Sequence, residues 1–211
     1  MAIAENLLLL ALENDGTEPI ARLRLESGLA AAVLVDLLEQ GRIGLEGETV
    51  VVREATGVGH PEEDAALERI GVEEPHDLEW WVRSLRPGLL EAVRARLVEQ
   101  GILTEEHRKR LGIFPTTDRH LADPAPTERL RARVGALATG DSGAEDRPED
   151  VILLALAHGT GLDRVRFPSV PPEQIEGVLS GRAGGGLSGV VAEAIRKVTA
   201  AVIVASTSAS T

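Results

Sequence analysis

The stretch Ser27-Gly28-Leu29-Ala30-Ala31-Ala32-Val33-Leu34-Val35-Asp36-Leu37-Leu38-Glu39-Gln40-Gly41-Arg42-Ile43 decides the fold. From Ser27 to the last turn it carries one charge, Asp36. A helix that is apolar on nearly every side has to lie in the middle of a structure. Ser27 is its expected N-cap, after a loop over Thr17 to Glu26 that contains Pro19. Gly41 suits the left-handed residue that closes a helix without a Cβ clash. A buried, unpaired carboxylate is costly. Asp36 is therefore expected either in an ion pair, with Arg42 as the partner, or at the rim of the helix bundle.

Working outward, the same ending returns at Leu97-Val98-Glu99-Gln100-Gly101-Ile102-Leu103. Ile3 to Leu12 reads as a first helix, broken at Glu13-Asn14-Asp15-Gly16. Arg42 to Val52, with Glu46-Gly47-Glu48 at its middle, has the pattern of a β-hairpin. Glu62 to Ile70 is amphipathic, and Asp77 is placed to cap a helix through Trp80, Trp81 and Leu85. One tryptophan should be core and its neighbour half exposed. Leu89 to Gln100 forms the second glycine-ended helix. The basic turn Arg108-Lys109-Arg110 then leads into an extended apolar segment, Leu111 to Thr117, which makes a second hairpin possible. Helices are expected over Pro124 to Ala138, Glu149 to His158, Gln174 to Leu179 and Leu187 to Ala205. The fold class is mainly α: a globular helical bundle around a central apolar helix, with one or two short β-hairpins. Residues 1–202 should form one domain with a mobile polar linker near 139–149, and 203–211 a frayed tail.

The 211 residues include no cysteine, which excludes disulfides and thiolate chemistry and suits a cytoplasmic setting. The net charge of −12 is unevenly placed. Met1 to Trp80 carries 18 acidic and 5 basic residues, and the remainder 16 acidic and 17 basic. The start of the chain has no signal-peptide pattern, and no apolar run reaches membrane-spanning length. Any membrane contact would be made from the side, on the cytoplasmic face.

Motifs for catalysis are missing. The five histidines, His60, His76, His107, His120 and His158, have no metal-binding spacing, so neither a metal nor a cofactor is expected. Gly184-x-Gly186-x-x-Gly189 matches a dinucleotide fingerprint by letter but lacks the strand that should precede it. It reads as a flexible entry to the last helix. His158, at the end of an apolar helix, reads as a hydrogen-bonded capping residue before a general base. A helix followed by Gly and a hairpin also ends a winged-helix DNA reader. Here Arg42 and Arg53 are outnumbered by Glu39, Glu46, Glu48 and Glu54, so nucleic acid is not the expected partner.

Three stretches together resemble the Golgi phosphoprotein 3 family. The first is Glu5-Asn6-Leu7-Leu8-Leu9-Leu10-Ala11-Leu12 with Ser27-Gly28-Leu29 and Gly41-Arg42-Ile43. The second is Leu97 to Leu103 with Phe114-Pro115-Thr116-Thr117 and Leu121-Ala122-Asp123-Pro124. The third is Leu153-Leu154-Ala155-Leu156-Ala157-His158. The resemblance implies a non-enzymatic peripheral adaptor with a protruding apolar hairpin and a phosphatidylinositol 4-phosphate site. In this chain the hairpin tip would be Leu111, Ile113 and Phe114, available to a bilayer or to a second copy of the chain. The headgroup pattern departs from the family at Ala21 and Ala30, and near Pro87 and Leu90. Losing two or three charge-assisted hydrogen bonds forfeits about 3–9 kcal/mol, comparable to the whole of micromolar binding. Arg22, Arg24, Arg83 and Arg86 are the candidates for a rebuilt anionic-lipid surface. The Arg-rich, Lys-poor composition points to a bacterial source, and the protein client is open. The competing expectation is a cytoplasmic interaction or regulatory module with winged-helix-like parts.

Overall fold

The computed structural model describes residues 1–13, 15–110, 114–141, 147–183 and 189–207. Among them the chain forms ten helices and two antiparallel two-stranded sheets, so the fold is mainly α. In chain order the elements are α1 (Ile3–Ala11), α2 (Arg22–Glu39), β1 (Ile43–Glu46), β2 (Thr49–Val52), α3 (Pro61–Val72), α4 (Leu78–Leu85) and α5 (Leu89–Glu99). There follow β3 (Leu103–Arg110), β4 (Phe114–Leu121), α6 (Ala125–Ala138), α7 (Pro148–Thr160), α8 (Asp163–Arg166), α9 (Pro172–Ala183) and α10 (Gly189–Thr207).

α2 is the centre. Every residue from Leu29 to Val35 is buried, and α1, α3, α4, α5, α7 and α10 all pack against it. Both glycine endings have the expected geometry. Gly41 has φ +68° and Gly101 φ +70°. In each case two hydrogen bonds close the helix: Gly41 N to Leu38 O with Arg42 N to Leu37 O, and Gly101 N to Val98 O with Ile102 N to Leu97 O. This is the left-handed cap that satisfies two otherwise orphaned carbonyls. Asp77 accepts a bond from Trp80 N at 2.8 Å and so caps α4. Trp81 is fully buried and Trp80 half-buried.

Four expectations are corrected. α2 begins at Arg22, five residues before Ser27. Ser27 lies inside the helix, where its Oγ donates to Leu23 O at 2.9 Å. A serine can satisfy itself that way on the carbonyl one turn back, and then it need not cap. Asp36 does not pair with Arg42: it accepts Ile3 N at 2.9 Å, and Arg42 binds Glu54. Arg108-Lys109-Arg110 is the end of strand β3, not a turn. α7 runs through Gly159 and ends at Gly161, φ +74°. The short α8 and the greater length of α9 also differ from the sequence reading.

The β3–β4 hairpin pairs Leu103 with Leu121 at its base and Arg110 with Phe114 at its far end. Its base is fixed to the bundle. Leu103 is buried, β3 packs on α5, and Ala122 N bonds Ile102 O at 2.9 Å. Leu111 and Ile113 lie outside the described residues. So do Gly184 and Gly186, part of the linker at 142–146, and the tail from 208.

Candidate functional site

The four proposed arginines divide by what holds them. Arg22 and Arg24 occupy the first turn of α2, and both are exposed. Arg22 Nε meets Glu26 Oε1 at 2.7 Å, and its Nη1 meets Glu91 Oε1 at 3.3 Å. The Glu26 contact raises the Arg22 pKa further. Arg24 forms no ion pair among the described residues and lies beside Gly161, where an added Cβ would come within 3.1 Å of its Nη1. Arg83 stays on the solvent side of α4, 3.3 Å from Glu79.

Arg86 differs from the other three because the fold uses it. Its Nη1 donates to Ala205 O at 3.2 Å and lies 3.5 Å from Ser27 Oγ. A guanidinium on the last carbonyls of a helix satisfies an orphaned acceptor and complements the helix dipole. Arg86 therefore pins the end of α10 to α2 and α4.

Glu91, at the start of α5, gathers three elements. Besides Arg22 it meets Arg94 Nη1 at 2.6 Å and Arg119 Nη2 at 3.7 Å. Arg119 belongs to β4 and also binds Glu105 Oε1 at 2.7 Å across the hairpin. The arginine edge of α2 and the hairpin base are thus joined through one carboxylate. Sequence reasoning missed this junction, since Glu91 carries no motif. Its surface charge is nearly balanced, because Glu18 and Glu26 add to Glu91 and Glu105. Arg108, Lys109 and Arg110 are placed by the strand register at the far end of β3.

Beside Arg86 a cleft of about 360 Å³ opens between α3 and α5, lined by Val33, Ala65, Arg69, Pro87, Leu89 and Ala92. Arg69 is engaged by Glu73 at 2.8 Å and by Ser84 Oγ at 2.7 Å. Of the two alanines at which the sequence reading expects a departure from the resemblance, Ala21 is the exposed N-cap of α2 and Ala30 is fully buried.

Elsewhere, His158 Nδ1 contacts the buried Asp163 Oδ2 at 2.7 Å, and its Nε2 lies 3.6 Å from Glu176 Oε1. The bond to Asp163 raises the His158 pKa, against the opposing effect of burial. The arrangement clamps α7, α8 and α9 together. Its outer nitrogen meets a carboxylate and no nucleophile. Among the described residues no group of three His, Asp or Glu is placed to hold a metal ion. On the β1–β2 hairpin Arg42 binds Glu54 and Arg53 binds Glu46, so the winged-helix reading gains no free cations there. Among the described residues no helix is long and apolar enough to cross a membrane.

The described residues form a helical bundle with a buried central helix and a hairpin anchored at one edge. The family model described as Golgi phosphoprotein 3 (GPP34) matches residues 3–202, and the chain belongs to that family. A search of curated proteins finds no match.

Proposed function

We propose that the protein is a non-enzymatic peripheral membrane adaptor that meets anionic lipid with the β3–β4 hairpin leading. The observation that carries this reading is the hairpin itself. Its base is tied to α2 and α5 through Arg119 and Glu91, while Arg108, Lys109 and Arg110 form the far end of strand β3. The sequence sets the apolar residues Leu111, Ile113 and Phe114 directly after three cations, a pattern that suits a surface that is apolar within and anionic outside. Each Lys or Arg near such a surface contributes about 1 kcal/mol. The exposed Arg24, and Arg22 once separated from its carboxylates, add positive charge at the start of α2.

The family's phosphatidylinositol 4-phosphate site is not the basis of this reading. An arginine at position 30 would be buried where Ala30 now packs, and Arg86 is engaged with Ala205. Lipid recognition here is a matter of charge and insertion rather than of one headgroup. Localisation follows as peripheral, on the cytoplasmic face, with an unidentified protein client.

Co-sedimentation with vesicles tests this. Binding to phosphatidylglycerol-containing vesicles should weaken with salt and with Ile113→Asp or Phe114→Asp, and should be lost on phosphatidylcholine alone. No sedimentation with any anionic vesicle at low salt rules the reading out. Dimers that persist without lipid and dissociate with Phe114→Asp would assign the tip to a second copy instead.

A further inference from the structure

Among the described residues five acidic side chains are buried: Glu5, Asp36, Glu63, Asp150 and Asp163. Three have a basic partner. Glu5 has Arg96 at 3.1 Å, Asp150 has Arg133 at 3.1 Å, and Asp163 has His158 at 2.7 Å. Asp36 and Glu63 form no ion pair among the described residues, and they repel one another across the α2–α3 contact.

The surroundings of the two groups are specific. Asp36 Oδ2 accepts Ile3 N, in the first turn of α1, at 2.9 Å. Glu63 Oε2 accepts Gln40 Nε2, from the C-cap residue of α2, at 2.9 Å. Glu39 on α2 and Glu149 on α7 add negative charge to the same region. From α1 comes Glu5, already matched by Arg96. From α7 comes Asp150, matched by Arg133. On the α3 side, His60 favours the charged form of Glu63, while Glu62 and Asp64 oppose it. Arg42, one turn beyond α2, is held by Glu54. Two buried carboxylates without a cation cannot both stay ionised cheaply.

We infer that Asp36 and Glu63 are a proton-operated latch at the junction of α1, α2 and α3. With Asp36 protonated the junction is closed. With both ionised, α3 is pushed away from α2 and the first turn of α1 loosens. Desolvation, then the charge of Glu63, pushes Asp36 up to about 7, and desolvation also raises Glu63. The outer face of α3 supplies Pro61, Ala65 and Arg69 to the cleft beside Pro87, so the latch sets the width of that cleft. Because the folded pKa lies above the unfolded one, this stabilisation is full below about pH 4 and is lost as pH rises through about 7.

The test is carboxyl ¹³C titration of the full chain, with amide hydrogen exchange at two pH values. Asp36 should titrate near neutrality, and Glu63 above the ordinary glutamate range. After correction for intrinsic chemistry, α3 and the first turn of α1 should exchange roughly tenfold faster at pH 8 than at pH 6. Asp36→Asn keeps an oxygen for Ile3 N and mimics the protonated acid, so it should reduce that ratio to about twofold or less. Should Asp36→Asn fail to fold, Glu63→Gln supplies the second reading, since it should lower the Asp36 pKa. Titration of both wild-type carboxyls below about pH 5, or an unchanged exchange ratio in the variants, overturns the latch.

Discussion

Gly28 lies against Thr160. A Cβ at position 28 would sit 2.6 Å from Thr160 Cγ2 and 3.1 Å from Leu7 Cδ2, so α2, α7 and α1 meet at a point that admits no side chain. Thr160 cannot easily turn away, because its hydroxyl donates to Leu156 O at 2.9 Å and lies 3.0 Å from Ala157 O. The glycine of Ser27-Gly28-Leu29 is thus required by packing and not by a backbone angle.

Gly28→Ala should cost about 1–3 kcal/mol, the usual price of an extra methyl in a packed interior. Thr160→Ser removes the opposing methyl and keeps the hydroxyl, so the double variant should recover much of the loss. Urea unfolding of the four proteins in the cycle measures the coupling.

Arg166 closes the far end of α1. Its Nε donates to Leu10 O at 2.7 Å, its Nη2 to Ala11 O at 2.5 Å, and its Nη1 meets Glu13 at 2.8 Å. Arg131 reaches the next carbonyl, Leu12 O. Arg166→Ala leaves buried carbonyls without donors and should destabilise by about 2–3 kcal/mol. Thermal unfolding and exchange of the α1 amides should report the change together.

The His158 clamp has its own pH signature. The folded pKa is raised, so the contribution of the clamp is full below the unfolded histidine value and fades as pH rises through the folded one. Asp163→Asn removes the cause and leaves the burial, so the His158 ring should then titrate below the ordinary range of about 6.5. Ring-proton NMR follows the titration directly. The stability difference between the two proteins should be larger at pH 5.5 than at pH 9, on the order of 1–2 kcal/mol at the lower value.

Arg24 and Arg86 should separate surface from scaffold. Arg24→Ala should leave stability within about 0.5 kcal/mol and weaken vesicle binding by about 1 kcal/mol. Arg86→Ala should free the last turn of α10, with faster amide exchange from Ala201 to Ala205 and a loss of about 1–2 kcal/mol. Equal effects of the two variants on stability would contradict this division.

Much of the architecture was legible because it rests on local chemistry. Gly41 and Gly101 announce left-handed helix ends, Asp77 announces a cap, and the unbroken apolar run after Gly28 announces a central helix. Misreadings arose where distant groups decide. Residues Arg22 to Glu26 alternate charge and leucine and looked like a loop, yet Leu25 is buried and draws the helix back over them. The partner of Asp36 is a backbone N–H from 33 residues upstream. α8 spans four residues, too few for any periodicity to show. In the candidate site, sequence found the arginines but not their commitments. That Arg86 serves Ala205, 119 residues later, and that Glu91 joins Arg22 to Arg119, are facts of tertiary contact alone.

The guanidiniums at the end of α1 set an order of events during synthesis. The first helix is mostly leucine and alanine, and the donors for its last carbonyls arrive 119 and up to 156 residues later. At ribosomal speeds of about 5–20 residues per second, the helix waits roughly 8–30 s before Arg166 is made. For that interval its apolar surface and carbonyl end lack the partners that later parts of the chain supply. The carbonyl end of the first helix therefore gains its side-chain donors only late in synthesis.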